Sequence, residues 1–193
     1  LDKLGLGLVR STATNHPTCT ACQYGKQTRN HDHTTTTTKN PDSVGVLKDG
    51  QLRPGDRIFC DHLESRVKGR RFHTAGREPQ KDMFCGSMIF CDAASGLIHA
   101  EHQTTLNASD SINSKDSFER MSLQYGVTIN NYHTDNGIFK SSRFVQEITR
   151  NVQGIRYSGV GAKWQNGVAE GAIRIDVSKA RTMMIHAALH WPE

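Results

Sequence analysis

From residue 52 onward the sequence alternates between short apolar runs and longer helix-like stretches, and this alternation limits the fold more than any other feature. After the turn at Pro54-Gly55, Arg57 to Leu63 carries Ile58, Phe59 and Cys60 in a run typical of a strand. Residues 84–92 and 97–103 read as two more strands, joined by a tight turn at Ala93 to Gly96. "NASDSINSKDSFERMSLQYG" has a Ser/Asp-rich start and closes at Gly126, the pattern of a helix. "VTINNYHTD" is a strand ending at Asp135, and "SSRFVQEITRNV" a helix with Ser141 or Ser142 as its N-cap. "GIRYSG" is a short strand and "VGAKWQNG" a Gly-rich loop. "VAEGAIRIDVSKARTMMIHAAL" is a long helix that stops at Pro192. The order β, β, β, α, β, α, β, α predicts an α/β fold, a mixed sheet flanked by helices.

The first 51 residues differ in texture. Residues 1 to 15 show no clear periodicity, and five consecutive threonines, Thr34 to Thr38, lie in a polar stretch with too little apolar surface to order itself. We therefore divide the chain into a short irregular N-terminal segment (1–30), a linker (31–51) and a folded core (52–193). The 193 residues carry 24 Lys or Arg against 19 Asp or Glu, a net charge of +5, which makes nucleic acid a plausible partner. The segment from Arg66 to Lys81 holds six of those cations against one acid and reads as an exposed basic loop or hairpin extension. No run of 18 apolar residues predicts a membrane span, and no secretory signal is visible. Of the five cysteines, Cys60, Cys85 and Cys91 fall in strand-like runs, which suits reduced thiols in an intracellular setting.

Three acids stand out against this frame. Asp61 lies in the first strand of the core, Asp135 at the end of the fourth, and Glu170 near the start of the last helix. In open α/β sheets, strand ends and helix starts form the functional crevice. Three carboxylates meeting there would repel one another unless a cation sat between them. Mg²⁺ prefers oxygen ligands, and a pair of such ions can activate an attacking oxygen and stabilise a leaving oxygen at phosphorus. Spacing alone leaves a plainer reading open, because "DNG" is also simple turn chemistry and any chain with 19 acids offers many triplets.

"YHTDNGIF", followed by "YSGVGAKWQNGVAEGAIRIDVSKARTMMIHAALHWP", resembles the catalytic core of copia-type LTR-retrotransposon integrases. "IFCDHLESRVKGR" and "MIFCDAASGLIHAEHQ" match the strands that precede it, and "CTACQYGKQTR" resembles the second half of the zinc-binding region ahead of such cores. The resemblance implies an RNase H-like fold and metal-dependent transfer of DNA 3′ ends into a target strand. Asp61, Asp135 and Glu170 would then be the catalytic ligands of Mg²⁺ or Mn²⁺. Asn166, Gln165, Lys163, Arg174, Arg70 and Arg71 are candidates for contact with DNA, while Asp92, set in a turn, reads as structural. DNA, a homo-multimer when full length, and a nuclear location are expected from the same resemblance. A nuclease of the same fold and a non-catalytic nucleic-acid-binding remnant remain the alternatives.

Cys19 and Cys22 could supply two thiolates to zinc, but a CxxC pair fills only half of a tetrahedral site. Only His16 precedes the pair, and His31 and His33 follow it at an awkward spacing, so a zinc ion would need ligands this chain lacks. The sequence departs from the family pattern elsewhere. Gly171 stands where Arg usually follows the Glu, and Lys163-Trp164 replaces a pair of histidines.

Overall fold

A computed structural model describes residues 19–27, 52–71, 82–159 and 163–191, with the side chains of Lys163 and Trp164 left aside. The linker, His16, His31, His33, Pro192 and residues 72–81 of the basic segment lie outside the described residues. Those within Thr37–Arg174 form one compact unit, and those within Leu1–Thr36 and Ile175–Glu193 a second.

The first unit is built on five strands: β1 (Ile58–Gly69), β2 (Phe84–Asp92), β3 (Ile98–Gln103), β4 (Asn131–Thr134) and β5 (Gly154–Tyr157). They lie in the order β3-β2-β1-β4-β5. β1 and β3 flank β2 antiparallel, while β4 is parallel to both β1 and β5. With helices against it, this is the mixed sheet expected from the sequence. Two expectations change in detail. β1 continues to Gly69, so the first part of the basic segment is strand, with a register shift between Glu64 and Gly69. β4 begins at Asn131 rather than at Val127, because its parallel partners β1 and β5 meet it only from there.

Two helices, α2 (Ala108–Gln124) and α3 (Ser142–Arg150), lie between β3 and β5 in sequence. Asn107 caps α2 by accepting the N–H of Asp110, and Ser141 caps α3 by accepting that of Phe144. Ile58, Cys60, Met88, Phe90 and Tyr132 from the sheet pack with Phe118 of α2 and with Phe144 and Ile148 of α3. Phe90 and Phe118 stack with centroids 4.4 Å apart. The opposite face presents Phe59, Ile89 and Cys91 to Ala169 and Ala172, in the first turns of the last helix, α4 (Gly167–His190). β1 is thus shared: even-numbered positions at its start face α2 and α3, odd-numbered ones face α4.

Both helices of the first unit end in the same way. At α2, Gly126 (φ 73°) donates to Leu123 O and Val127 to Ser122 O; at α3, Val152 (φ 55°) donates to Thr149 O and Gln153 to Ile148 O. This is the Schellman arrangement, which wants glycine at its left-handed residue. Val152 is branched and fully exposed, so it gains little packing to offset the strain of that conformation. Val152→Gly is expected to raise stability by about 1 kcal/mol, measured by urea denaturation.

In the second unit the short helix α1 (Thr20–Gly25) buries Ala21 and Gly25. A Cβ on Gly25 would come within 2.7 Å of Thr182 Cα, so only glycine permits this approach. Cys19 is exposed and Cys22 half-buried. A backbone hydrogen bond from Cys22 and contact with its thiol hold Cys19 below the ordinary thiol value, whereas the hydrogen bond with Cys19 pushes Cys22 up.

Candidate functional site

Asp61 and Asp135 come together through strand register. Phe59 of β1 pairs with His133 of β4, and each acid stands two residues further along its own chain, on the face that α4 covers. The "DNG" turn fixes the second acid. Asp135 Oδ1 accepts the N–H of Gly137 at 3.0 Å, and a Cβ at position 137 would lie 3.2 Å from Asp135 Oδ2. Asn136 reaches across to donate to Ser158 O at 2.6 Å, which ties this turn to the end of β5.

A 3-10 turn, Lys163–Asn166, leads into α4. Asn166 donates from Nδ2 to Asp61 Oδ2 at 3.0 Å, and Asp61 Oδ1 accepts the His62 N–H at 2.8 Å. Only 3% of Asn166 is exposed, and its buried Oδ1 has no partner among the described residues. Gln165 Oε1 accepts the N–H of Gly159 at 2.7 Å, which links the chain just beyond β5 to this turn. Glu170 follows in the first turn of α4, exposed, where a carboxylate is favoured by the helix N-terminus.

The charges of this group act on one another. Asp61 is pushed up to about 6, chiefly by burial, with the charges of Asp135 and Glu170 pushing the same way and hydrogen bonds from His62 and Asn166 pushing back. No lysine or arginine neutralises Asp61 or Asp135 in an ion pair among the described residues. Oxygen donors under mutual repulsion suit a hard divalent cation. Among the described residues, though, no three His, Cys, Asp or Glu side chains stand close enough together to form a closed metal-ligand cluster. The carboxylates fit such a cation in donor chemistry, not as a finished shell.

The other sequence candidates scatter. Arg174 is exposed one turn beyond Glu170 and forms no ion pair with it. Arg70 is exposed beside the end of β1, and Arg71 donates from Nε to Asp82 O at 2.6 Å. Asp92 is buried and accepts from Gly55 N, Ser95 N and Ser95 Oγ, a turn-building role. Sequence reasoning did not single out His62, which stacks on Phe139 at 4.8 Å and lies 3.1 Å from Ser111 Oγ. Its place beside Asp61 in the strand was the available signal.

Comparison with solved structures gives the fold. The chain matches one in the structure of the simian T-cell lymphotropic virus intasome in complex with PP2A regulatory subunit B56 gamma, with a TM-score of 0.51 at 16% identity over 74% of this chain and 44% of that one. It also matches the HTLV-2 integrase catalytic core domain in complex with magnesium, with a TM-score of 0.47 at 15% identity over 74% of this chain and 78% of that one. No protein-family model and no curated protein matches the sequence. The five-stranded mixed sheet and its helices have the RNase H-like fold. Among the described residues, no helix is long and apolar enough to cross a membrane.

A pH dependence follows from Asp61. Between its ordinary 3.8 and its folded value of about 6, the folded chain holds a proton that the unfolded chain has lost, so rising pH through this window lowers stability. Asp61→Asn is expected to raise Tm at about pH 7.5 and to lose most of that gain near about pH 4. Mg²⁺ should raise the Tm of the intact chain more at about pH 7.5 than at about pH 5, because the proton competes with the cation. Equal shifts at both pH values would contradict this electrostatic picture.

Proposed function

We propose that the chain is the catalytic core of a copia-type retrotransposon integrase, residues 52–193, which joins DNA 3′ ends to a target strand by metal-dependent phosphoryl transfer. The single observation that carries this reading is the register-defined placement of Asp61 beside Asp135 on the α4 side of the sheet. Glu170 enters from the first turn of that helix, and its charge contributes to the raised Asp61.

Asp61, Asp135 and Glu170 would hold Mg²⁺ or Mn²⁺. When bound, such ions supply Lewis-acid activation of the attacking oxygen and charge stabilisation at the leaving one. The protein residues do the positioning. Asn166 fixes the Asp61 carboxylate, Gly137 fixes that of Asp135, and Gln165 ties the turn that opens α4 to Gly159. Arg174 presents an exposed guanidinium one helical turn from Glu170, suited to a phosphate, Arg70 and Arg71 extend the basic surface, and Lys163 is a further candidate from the sequence. Residues 31–51 would link this core to a partial zinc-binding region, 1–30, whose Cys19 and Cys22 need further ligands. Assembly as a multimer on DNA in the nucleus belongs to the same reading.

The test is a Mg²⁺- or Mn²⁺-dependent strand-transfer assay on a pre-branched DNA substrate beside a linear one. Joining is the expected result. Cutting without joining would replace this reading with a nuclease, and binding without any metal-dependent reaction would leave a non-catalytic remnant.

A further inference from the structure

The strand register around Asp61 also builds a cleft one row further along the same face. Asp61 of β1 pairs with Ile89 of β2, which pairs with Ala100 of β3. Two residues on, Leu63 pairs with Ser87, which pairs with His102. Leu63 and Ala100 pack against the same cluster as Phe59, Ile89 and Ala169, so both rows lie on the α4 side of the sheet. At about 3.3 Å per strand residue, the rows are about 7 Å apart.

A cleft of about 300 Å³ opens at the second row, and Leu63, Val67, Arg70, Phe84, Ser87 and His102 line it. Val67 is 79% exposed, so an apolar wall faces solvent. The Phe84 and His102 rings stand 5.4 Å apart, tilted by 44°. Ser87 is buried, and a 2.7 Å hydrogen bond between its Oγ and His102 Nδ1 holds the imidazole in place. Arg70 is exposed and brings a guanidinium to the cleft. A flat ring with polar edges suits aromatic walls beside a hydroxyl, and the phosphate joined to such a ring suits the arginine. The volume lies at the lower end of the range for small-ligand sites, which suits one unstacked base.

We propose that this cleft seats one unstacked base of the nucleic-acid strand engaged at the Asp61–Asp135 centre, with Phe84 and His102 as stacking walls and Arg70 on the adjoining phosphate. A strand that advances by about 3.4 Å per phosphate covers the distance between the rows in one to two nucleotides. The seated base therefore belongs to a nucleotide next to the phosphate that reacts, or one place further. This assignment rests on the phosphoryl-transfer reading for the position of the strand, but its binding is measured without any reaction.

The experiment follows binding of a single-stranded oligothymidylate by fluorescence anisotropy across a salt series, without divalent metal. Phe84→Leu is expected to bind on the order of 10-fold more weakly with an unchanged slope of log K against log salt, because stacking releases no counterions. His102→Ala, at an exposed position, should weaken binding in the same way and carries the test if Phe84→Leu fails to fold in a thermal melt. Arg70→Gln should instead lower the slope by about 0.7. Tyr125→Leu, which removes an exposed aromatic ring after α2 and outside the cleft, should change neither quantity. A second probe carries one photoreactive iodinated base in turn at each position near the 3′ end, and cross-linked peptides are mapped by mass spectrometry. Cross-links to Phe84 or His102 are expected from one or two neighbouring positions. Unchanged affinity in the folded cleft variants, or no cross-link to either ring, overturns the base site. Thymidine monophosphate that binds as tightly as the oligonucleotide would assign the cleft to a free nucleotide and overturn it equally. If the losses and cross-links appear while the intact chain joins no DNA, the base site stands and the integrase reading fails.

Discussion

Asp135→Asn is expected to reduce metal-dependent strand joining by on the order of 10³-fold or more, with folding and DNA binding preserved. The amide keeps the size of the carboxyl group and an oxygen that can still accept the Gly137 N–H, so the turn survives. It removes the negative charge that, beside Asp61 and Glu170, would attract a divalent cation on the proposed reading. One repulsive neighbour of Asp61 disappears with it, so Asp61 should titrate lower in the variant and Tm at neutral pH should not fall. Strand transfer on the branched substrate, run with an equilibrium binding measurement, checks both halves. Full activity in Asp135→Asn would remove Asp135 from the reaction.

The largest stability effect lies away from this centre, at Glu119. Lys115 on α2 is 0% exposed, and its ammonium is 3.1 Å from Glu119 Oε1 and 3.6 Å from Asp116. Glu119 Oε1 also accepts from Tyr132 Oη and from Gln153 Nε2, each at 2.6 Å. One carboxylate therefore compensates a buried cation and satisfies two further donors, one from β4 and one from the residue before β5. Glu119→Ala strips all three partners at once and should cost about 3–5 kcal/mol in urea denaturation. A buried pair is costly to break but cheap to replace whole. Lys115→Met/Glu119→Leu should accordingly recover most of that loss. A double variant as unstable as the single one would show that Tyr132 and Gln153, not the charge, carry the penalty.

Much of the fold was legible because local signals agreed. The "AASG" turn, the terminal Gly126, the Ser141 cap and the "DNG" turn all sit where the chain changes direction. The misjudged edges depended on partners. Val127 to Asn130 has strand composition but lacks the parallel neighbours that define β4, and the basic residues after Arg66 are drawn into β1 by pairing with β2. Lys115 reads as a surface residue in sequence, since only the fold buries it beside a Glu119 that also holds Tyr132. The bond from Asn166 to Asp61 spans 105 residues, and no spacing rule reports a contact of that range.

That long span has a consequence for biosynthesis. The acidic centre draws on β1, on the turn after β4 and on the start of α4, so no translation product that ends before Glu170 contains it. A ribosome that stalls or terminates anywhere before Glu170 releases a piece with the basic strand and part of the sheet but without the third acid. On the proposed reading such pieces would bind nucleic acid without reacting with it, and synthesis past Glu170 would be the safety catch on the proposed chemistry.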